Sequence, residues 1–393
     1  MSNEKKSGQL KRIALFSTNF VLYSQTFVFD EVSSHERYEV DVFSHNRLNS
    51  DQFAYNPVYA LNSAPSLLAK LEWVLYGLTT YSPSHMKRIR TGGYALLHAH
   101  FGPGAVYALT YKRVAGAPLV VTFHGYDVPL LLTSRRLLPA YWRYWWRSSA
   151  LFQEADCLLA ASSELCDLLI TLGVPEKKVK LWRLGVQIPP GMEEGARTGK
   201  NVLMVGRFVE KKGFEYGLRA INALLRSGMD CNLHIVGDGP RRSNYDRIIA
   251  QLDMGGRVHL LGIKPHREVL SLMDRMDILL APSVVAANGD RESGLLVVKE
   301  ASARGIPVVG TWHGGIPEII EHAKTGFLVP ERNPAALAAA TARLLRDETL
   351  RKRLGRAGRK KMMAEYNIVD RVRALEEIYD EAIADYAEKN RSN

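Results

Sequence analysis

The sequence predicts two α/β domains, each built on a doubly wound parallel sheet. In both halves of the chain, short apolar runs that end in glycine-containing turns alternate with helical segments. A stretch rich in proline and glycine, residues 189–200, lacks apolar periodicity and separates the two series. We therefore predict an N-terminal domain over residues 1–188, a linker over 189–200, a C-terminal domain over 201–367 and a final helix over 368–393.

Length and composition agree with two soluble domains. The chain has 393 residues, 46% of them hydrophobic, which is enough for two cores. It has no run of 18 apolar residues and no apolar signal core at its start, so neither a transmembrane helix nor a secretory signal is indicated. The three cysteines, Cys157, Cys166 and Cys231, are widely spaced and flanked by apolar residues, which favours reduced, buried thiols in a cytoplasmic protein.

The net charge of +11 indicates an anionic partner. Nucleic acid, an anionic membrane surface and phosphorylated substrates all have the required charge. The sequence contains no zinc-finger spacing, no RNP-type aromatic motif and no long basic run, so nucleic acid is not favoured. A membrane surface and a phosphorylated substrate both remain as candidate partners, and one protein can bind both.

Polar residues follow several predicted strands of the N-terminal half, where open α/β sheets bind ligands. After the strand at residues 12–17, Ser24 or Thr26 is expected either to cap a helix running towards Ser34 or to face a ligand. Two histidine segments, residues 96–102 and 119–127, end the strands that follow.

Histidines at these strand ends can bind a sugar hydroxyl. His124 fits this role best because it is followed by a glycine. For His98 and His100, a structural role at the strand end is the alternative to sugar binding. A metal site is not favoured, since no His-Glu-x-x-His helix or cysteine partner accompanies the histidines.

Residues 135–152 combine aromatic and basic side chains. A helix starting at Pro139 would place Trp142 and Trp145 on one face and the arginines on another, namely Arg136, Arg143 and Arg147. Such a helix suits an anionic membrane surface, but packing of the tryptophans into the domain explains the pattern equally well.

The C-terminal half contains two segments suited to a phosphorylated ligand. Arg207 and Lys212 follow the strand that begins at residue 201 and precede a helix, so they can bind phosphate. A helix predicted to begin near Gly294 offers free N–H groups and the positive end of its dipole to an anion. Glu292 and Glu300 flank this point and can accept hydrogen bonds from hydroxyl groups, although two solvated surface glutamates remain an alternative. Asp238 is expected to cap the helix after the second strand.

The segment from Ala281 to Glu318 resembles the donor-site signature of family 4 retaining glycosyltransferases. The resemblance rests on Pro282-Ser283, Glu292, Glu300-Ala301, Gly305, Pro307-Val308-Val309 and Gly314-Gly315-Ile316-Pro317-Glu318. Within the family it is most similar to the branch that builds bacterial exopolysaccharides such as colanic acid and amylovoran. The resemblance implies the GT-B fold, in which two Rossmann-like domains face each other across a cleft, with the final helix crossing back to the N-terminal domain.

The resemblance also implies roles for individual residues. Glu292 would contact the donor sugar and Glu300 the ribose, while Arg207 and Lys212 would hold the diphosphate and His124 would contact the sugar at the reaction centre. The expected catalytic residues are His124, Glu292, Arg207 and Lys212. The expected donor-binding residues are Gly206, Arg207, Lys212, Gly237, Ile263, Lys264, Glu292, Ser293, Gly294, Leu295 and Glu300. The expected acceptor-side residues are Ser24, Thr26, His100, Gly102 and Asp127.

The reaction implied is transfer of a sugar, with retention of configuration, from a nucleoside diphosphate sugar, with a UDP-sugar favoured. The acceptor would be a glycan or a polyprenyl-diphosphate-linked glycan, and neither a metal nor another cofactor is expected. The protein would be cytoplasmic, with peripheral contact at the inner face of the plasma membrane. The alternatives are a nucleotide-sugar epimerase on the same fold, a transferase acting on a small soluble acceptor, and a non-catalytic polyanion-binding protein.

Overall fold

The computed structural model describes residues 10–22, 25–63, 66–191, 197 and 199–392, and it contains two parallel sheets. The first sheet has the strand order β3-β2-β1-β4-β5-β6-β7. Its strands are β1 (Lys11–Phe20), β2 (Tyr38–Arg47), β3 (Val58–Ala60), β4 (Tyr94–His100), β5 (Leu119–Phe123), β6 (Cys157–Ala160) and β7 (Val179–Leu181). All of its neighbouring strands pair in parallel.

The second sheet has the strand order β10-β9-β8-β11-β12-β13 and is also parallel throughout. Its strands are β8 (Asn201–Val205), β9 (Asn232–Val236), β10 (Val258–Leu260), β11 (Ile278–Ala281), β12 (Val308–Thr311) and β13 (Gly326–Val329). The strand order reverses beside β1 in the first sheet and beside β8 in the second. Open parallel sheets bind ligands at such reversal points, at the carboxyl ends of the strands.

Helices cover both sheets, which explains why the strands are nearly continuous apolar runs. The helices of the N-terminal half are α1 (Thr26–Val32), α2 (Leu67–Thr79), α3 (Pro83–Thr91), α4 (Gly102–Ala115), α5 (Trp142–Glu154) and α6 (Ser163–Thr171). Those of the C-terminal half are α7 (Phe214–Arg226), α8 (Arg242–Gln251), α9 (His266–Met273), α10 (Leu296–Ala303), α11 (Ile316–Ile319), α12 (Pro334–Arg346), α13 (Glu348–Glu365) and α14 (Ile368–Ser392). The predicted fold of two parallel α/β domains is confirmed.

The final helix packs on the N-terminal domain. Leu375, Tyr379 and Ala382 of α14 belong to the apolar core around the first sheet. Glu376 is completely buried and accepts hydrogen bonds from the backbone N–H groups of Glu36 and Arg37, both at 2.9 Å. The C-terminal segment therefore completes the core of the first domain.

Several local predictions in the N-terminal half were wrong. The helix predicted from Pro139 begins only at Trp142, because Ser134–Leu137 forms a separate 3-10 turn. Thr26 does not cap α1; it is the first helical residue, after Gln25 at the N-cap position, whereas Ser24 lies outside the described residues.

The predicted capping role of Asp238 was also wrong. Helix α8 begins at Arg242 with Arg241 as its N-cap residue. The Asp238 Oδ1 atom instead accepts a hydrogen bond from the N–H group of the adjacent Gly239 at 2.7 Å. The side chain therefore supports the turn after β9, four residues before the helix.

None of the helices in the described part of the chain is both long and apolar enough to cross a bilayer.

Candidate active site

The carboxyl ends of β8, β9 and β10 lie side by side, and glycines let their backbones approach closely. The N–H group of Gly237 donates to the carbonyl of Gly262 at 2.8 Å, and a Cβ atom at Gly237 would lie 1.9 Å from the carbonyl oxygen of Gly206. Only glycine fits such a close approach of two strand ends. Ile263 follows β10 and is 65% exposed, and Lys264 beside it pairs with Glu268 at 3.5 Å. The predicted residues Gly206, Gly237, Ile263 and Lys264 thus share one edge of the sheet.

Glu292 lies at the same edge and is held by two lysines. Its Oε1 atom is 3.1 Å from Lys212 Nζ and 3.8 Å from Lys211 Nζ. Burial by itself raises the pKa of Glu292, but the two lysines and the His313 side chain lower it to about 2. Glu292 is therefore ionised at neutral pH. Lys211, which sequence reasoning missed, also binds Asp290 at 3.2 Å.

The backbone of Glu292 is fixed by a second contact. Its N–H group donates to His313 Nε2 at 3.0 Å, and His313 Nδ1 lies 2.6 Å from Glu331 Oε1. A Cβ atom at Gly314 would lie 2.1 Å from the Glu292 carbonyl oxygen. The glycine loop after β12 therefore supports the backbone of Glu292.

Arg207 and Lys212 differ in their surroundings. The Lys212 side chain is 16% exposed and engaged with Glu292, whereas Arg207 is exposed. The structure therefore brings Lys212 to Glu292 and leaves the Arg207 side chain accessible from solvent.

The loop before α10 contacts the N-terminal domain. Ser293 Oγ lies 3.0 Å from Ser162 Oγ, and a Cβ atom at Gly125 would lie 3.2 Å from the Ser293 Cβ atom. Leu295 is the N-cap residue of α10, and Gly294 packs near the side chains of Leu184 and Ala161 of the other domain. The predicted helix start is thus where the two domains meet.

Glu300 is paired with a histidine that the sequence did not indicate. Its Oε1 atom lies 2.6 Å from Nε2 of His266, the first residue of α9. Burial lowers the pKa of His266, but the hydrogen bond and charge of Glu300 outweigh it and the net shift is upward. Asp30 of α1 lies near both groups; burial and the Glu300 charge raise its pKa to about 6 while His266 opposes them. Asp30 of the N-terminal domain and Glu300 of the C-terminal domain thus lie close together around His266.

The His124 side chain contacts a second histidine in the N-terminal domain. Its Nε2 atom lies 2.8 Å from His100 Nδ1, and His100 Nε2 lies 3.1 Å from Glu31 Oε1. Burial, His100 and Lys299 lower the pKa of His124 well below its ordinary value. Glu31, on α1, was missed because its partners lie on a distant strand.

Glu31, His98 and His100 are the one group in the described residues whose ligand-type atoms lie close enough for a metal ion, within 4.8 Å of one another. Both nitrogens of His98 already face hydroxyl groups, Tyr379 OH at Nδ1 and Thr122 Oγ1 at Nε2, each at 2.8 Å. Such contacts compete with an ion for the His98 lone pair. The expectation that no metal is needed stays a prediction.

Asp127 joins two strand-end loops. Its two oxygens accept hydrogen bonds from the N–H groups of Gly125 and Gly102, both at 3.0 Å. Burial raises the pKa of Asp127 to about 6 against the opposing effect of these bonds. Asp127, His100 and Thr26 are each at most 2% exposed, so in this structure they contact protein. Their assignment to the acceptor side stays a prediction.

Lys299 is buried between the two domains. Its Nζ atom donates to the Leu184 carbonyl at 2.9 Å and lies 4.9 Å from the centre of the Tyr366 ring. Burial, Arg371 and Arg183 lower its pKa to about 7, against the charge of Glu318. Sequence reasoning missed Lys299, because only the fold brings Leu184 and Tyr366 to it.

Two family models match adjoining parts of the chain. The model described as "Glycosyltransferase Family 4" matches residues 34–188, and the model described as "Glycosyl transferases group 1" matches residues 193–361. Together with the relatives below, these matches show that the chain belongs to this family of glycosyltransferases.

Among its relatives are two proteins named for exopolysaccharide synthesis. The putative colanic acid biosynthesis glycosyltransferase WcaL of Escherichia coli is 35% identical over 64% of this chain and 62% of its own length. The amylovoran biosynthesis glycosyltransferase AmsK of Erwinia amylovora is 33% identical over 72% of this chain and 69% of its own. The chain thus aligns with about two thirds of the length of these relatives.

Solved structures share the fold. HepE from Anabaena, in complex with UDP, has a TM-score of 0.73 at 19% identity, covering 95% of this chain and 100% of HepE. The sucrose-phosphate synthase of Thermosynechococcus elongatus has a TM-score of 0.74 at 20% identity, covering 95% of this chain and 99% of the synthase. The GT-B arrangement predicted from the sequence is thereby confirmed.

Proposed function

We propose that this chain transfers a sugar from a nucleoside diphosphate sugar to a glycan or lipid-linked glycan acceptor in exopolysaccharide biosynthesis, with retention of configuration. The observation that carries the proposal is the ionised Glu292 held by Lys212 at 3.1 Å, with the Lys212 side chain lying against Gly206 at the end of β8. Further support comes from relatives named for colanic acid and amylovoran synthesis. A UDP-sugar is the favoured donor because the fold neighbour HepE has been solved with UDP and with UDP-glucose.

In the proposed reaction, the bond between the anomeric carbon of the sugar and the diphosphate oxygen breaks. The acceptor hydroxyl forms the new bond on the same face of the sugar, and its proton passes to the departing diphosphate. Lys212 would turn from Glu292 to the diphosphate and, with Arg207, stabilise the negative charge that grows on the leaving group. Glu292 would then accept a hydrogen bond from a sugar hydroxyl.

A panel of nucleotide sugars tests the donor proposal. A ligand that binds only the folded state raises the apparent melting temperature, so the donor should be recognised by thermal shift and should release UDP when acceptor glycans are added. An epimerase would convert the free nucleotide sugar without any acceptor. A polyanion-binding protein would release no nucleoside diphosphate with any sugar. Either of these results would replace the proposed function.

The proposed lipid-linked acceptor requires a membrane-facing surface, and α2 and α5 offer one. Six aliphatic residues of α2 are 38% to 78% exposed and recur at helical spacing: Leu67, Leu68, Leu71, Val74, Leu75 and Leu78. On α5, Trp142 and Trp146 are 49% and 72% exposed, with stacked rings whose centres are 6.3 Å apart. An apolar stripe that faces solvent is what a helix at a bilayer interface needs. We call these two helix faces the α2–α5 surface.

Two arginines of the predicted basic face, Arg136 and Arg143, hydrogen-bond to backbone carbonyls of the protein. Arg143 donates to the carbonyls of Gly77 at 2.5 Å and Leu78 at 2.6 Å, so it joins α5 to the end of α2. Arg136 donates to the Leu131 carbonyl at 3.0 Å. Replacing these arginines would therefore disturb the surface itself, and the apolar residues of α2 are the better targets.

Charge favours a bilayer with anionic lipid over other occupants of the surface. Glu72, the one acidic residue of α2, accepts hydrogen bonds from Ser82 Oγ at 2.5 Å and from the Ser84 N–H group at 2.7 Å. Lys70 on the same helix is exposed, as is Lys87 on α3. Basic side chains near an anionic bilayer contribute about 1 kcal/mol each, an effect that salt screens.

Co-sedimentation with vesicles tests this surface. We expect the protein to bind phosphatidylglycerol vesicles, with binding that falls as salt rises. Replacing Leu67, Leu71 and Leu78 together by Ser should abolish it. The matched control replaces three residues that are exposed to 37–51% on other helices, Val114, Ile170 and Met363, and should bind as the wild type does. If the wild type ignores anionic vesicles even at low salt, a soluble acceptor replaces the lipid-linked one, and the donor proposal is unaffected.

A further inference from the structure

Glu31 is a buried carboxylate without a hydrogen-bond partner among the described residues, and the proposed donor contacts do not involve it. It is 1% exposed, and its Oε1 atom lies 3.1 Å from His100 Nε2 and 3.5 Å from His98 Nδ1. Within the described part of the chain, neither oxygen accepts a well-aligned hydrogen bond. An ionised carboxylate in such a place is costly unless a charge or a proton faces it. The imidazole of His100 is the nearest titratable group that can turn a proton towards it, and His100 Nε2 likewise has no aligned hydrogen-bond partner among the described residues.

The three side chains Glu31, His100 and His124 form a row, which we call the relay. The second nitrogen of His100, Nδ1, lies 2.8 Å from His124 Nε2. A neutral imidazole has one nitrogen that donates and one that accepts, while an ionised carboxylate only accepts. If the proton of His100 faces Glu31, then His100 Nδ1 must accept, and the proton of His124 must lie on Nε2. This leaves His124 Nδ1 as a lone-pair acceptor.

The surroundings of His124 agree with this assignment. Burial, His100 and Lys299 lower its pKa, so the ring is neutral at neutral pH. Its Nδ1 atom has no hydrogen-bond partner among the described residues. The ring is confined between Phe27 and Phe101, whose centres lie 4.6 Å and 4.5 Å from its own. His124 therefore keeps one unfilled acceptor beside Gly125, where the two domains meet.

We infer that Glu31 is a positioning residue that fixes the tautomer of His124, so that Nδ1 accepts a hydrogen bond from a hydroxyl of the donor sugar. The last step rests on the proposed function, whereas the tautomer does not. His98 stands outside the relay, because its nitrogens face Tyr379 and Thr122. A carboxylate on α1 thereby acts on the reaction centre through two imidazole rings.

Nitrogen NMR of the full-length protein with labelled histidine tests the tautomer without any substrate. In a neutral imidazole the nitrogen without a proton resonates far downfield of the protonated one. For wild-type His124, identified by its loss in His124→Gln, we expect the unprotonated nitrogen to be Nδ1. In Glu31→Gln the acceptor-only carboxylate becomes an amide that can also donate, so a second population with the proton on Nδ1 should appear.

Glu376→Gln is the matched control. Glu376 is another buried carboxylate, and its Oε1 atom also lies 3.1 Å from a histidine nitrogen, Nδ1 of His35. This variant should keep the tautomer of His124 even if its melting temperature falls. For the donor found by thermal shift, Glu31→Gln should lower kcat by about tenfold, comparable to the loss of one hydrogen bond, at an unchanged circular dichroism spectrum.

Two results would overturn the inference. One is a wild-type His124 with its proton on Nδ1, or an unaltered single tautomer in both Glu31→Gln and Glu31→Leu. The other is stoichiometric zinc in the purified wild type that is lost in Glu31→Gln, since the lone pairs would then bind an ion. If the tautomer changes as expected but kcat does not, only the contact with the donor sugar is refuted, and the donor proposal stands on its own assay.

Discussion

Replacing Lys212 by Met separates the structural and catalytic roles of one ion pair. The change removes the ammonium 3.1 Å from Glu292 and leaves the carboxylate with Lys211 at 3.8 Å. The lowering of the Glu292 pKa from 4.5 to about 2 corresponds to about 3 kcal/mol of folding stability at neutral pH. Because the folded-state pKa is depressed, this contribution is present above pH 4.5 and is lost as the pH falls towards 2. Lys211 remains and has the larger charge effect on the Glu292 pKa, so the loss of Lys212 should remove only part of this, about 1–2 kcal/mol of the free energy of unfolding.

The same variant should slow transfer even with saturating donor. A charged hydrogen bond to the leaving group contributes about 1.5–3 kcal/mol. Its loss in the transition state lowers kcat by roughly 10- to 150-fold. Urea unfolding and UDP release measure the two effects separately. Arg207→Met is the control: its side chain is exposed, so kcat should fall while unfolding stays unchanged. Full turnover of Lys212→Met at saturating donor would refute the role of Lys212 in leaving-group stabilisation.

Three further outcomes are expected. Glu300→Ala should weaken donor binding measured by calorimetry, whereas Glu292→Ala should mainly slow transfer; unchanged binding and turnover in both, with the fold intact, would remove these assignments. Turnover should persist in EDTA, and a strict need for added Mg²⁺ or Mn²⁺ would contradict this. Lys299→Met should raise the free energy of unfolding at pH 6 by about 3–5 kcal/mol, because the folded-state pKa of Lys299 is depressed to about 7. That gain should shrink towards pH 10, where wild-type Lys299 is neutral in the folded state; a pH-independent difference in urea unfolding would show that burial of this charge is not its cause.

The sequence was sufficient for the two parallel sheets, since their strands depend on local signals. Apolar runs ending in glycine mark strands wherever both faces of a sheet are covered. The strands β3 and β13, each at one edge of its sheet, were missed.

Residues that depend on distant partners were not accessible from the sequence. His266 meets Glu300 across 34 positions, and Tyr379 meets His98 across 281. Nothing near Glu31 in the chain indicates that α1 turns it towards β4. The apolar stripe of α2 was missed for a different reason: periodicity locates an apolar face but does not tell whether that face packs inward or meets solvent.

The return of α14 to the first domain bears on how the chain is made. A ribosome delivers the chain from its N-terminus, and domains generally fold as they emerge. Here Leu375, Tyr379 and Ala382, which belong to the core of the first domain, leave the ribosome after every strand of both sheets. Part of the core of the first domain therefore stays open, and His98 lacks its tyrosine partner, until α14 has been synthesised. A premature stop before residue 368 would remove core side chains from a domain whose other strands had long since been synthesised.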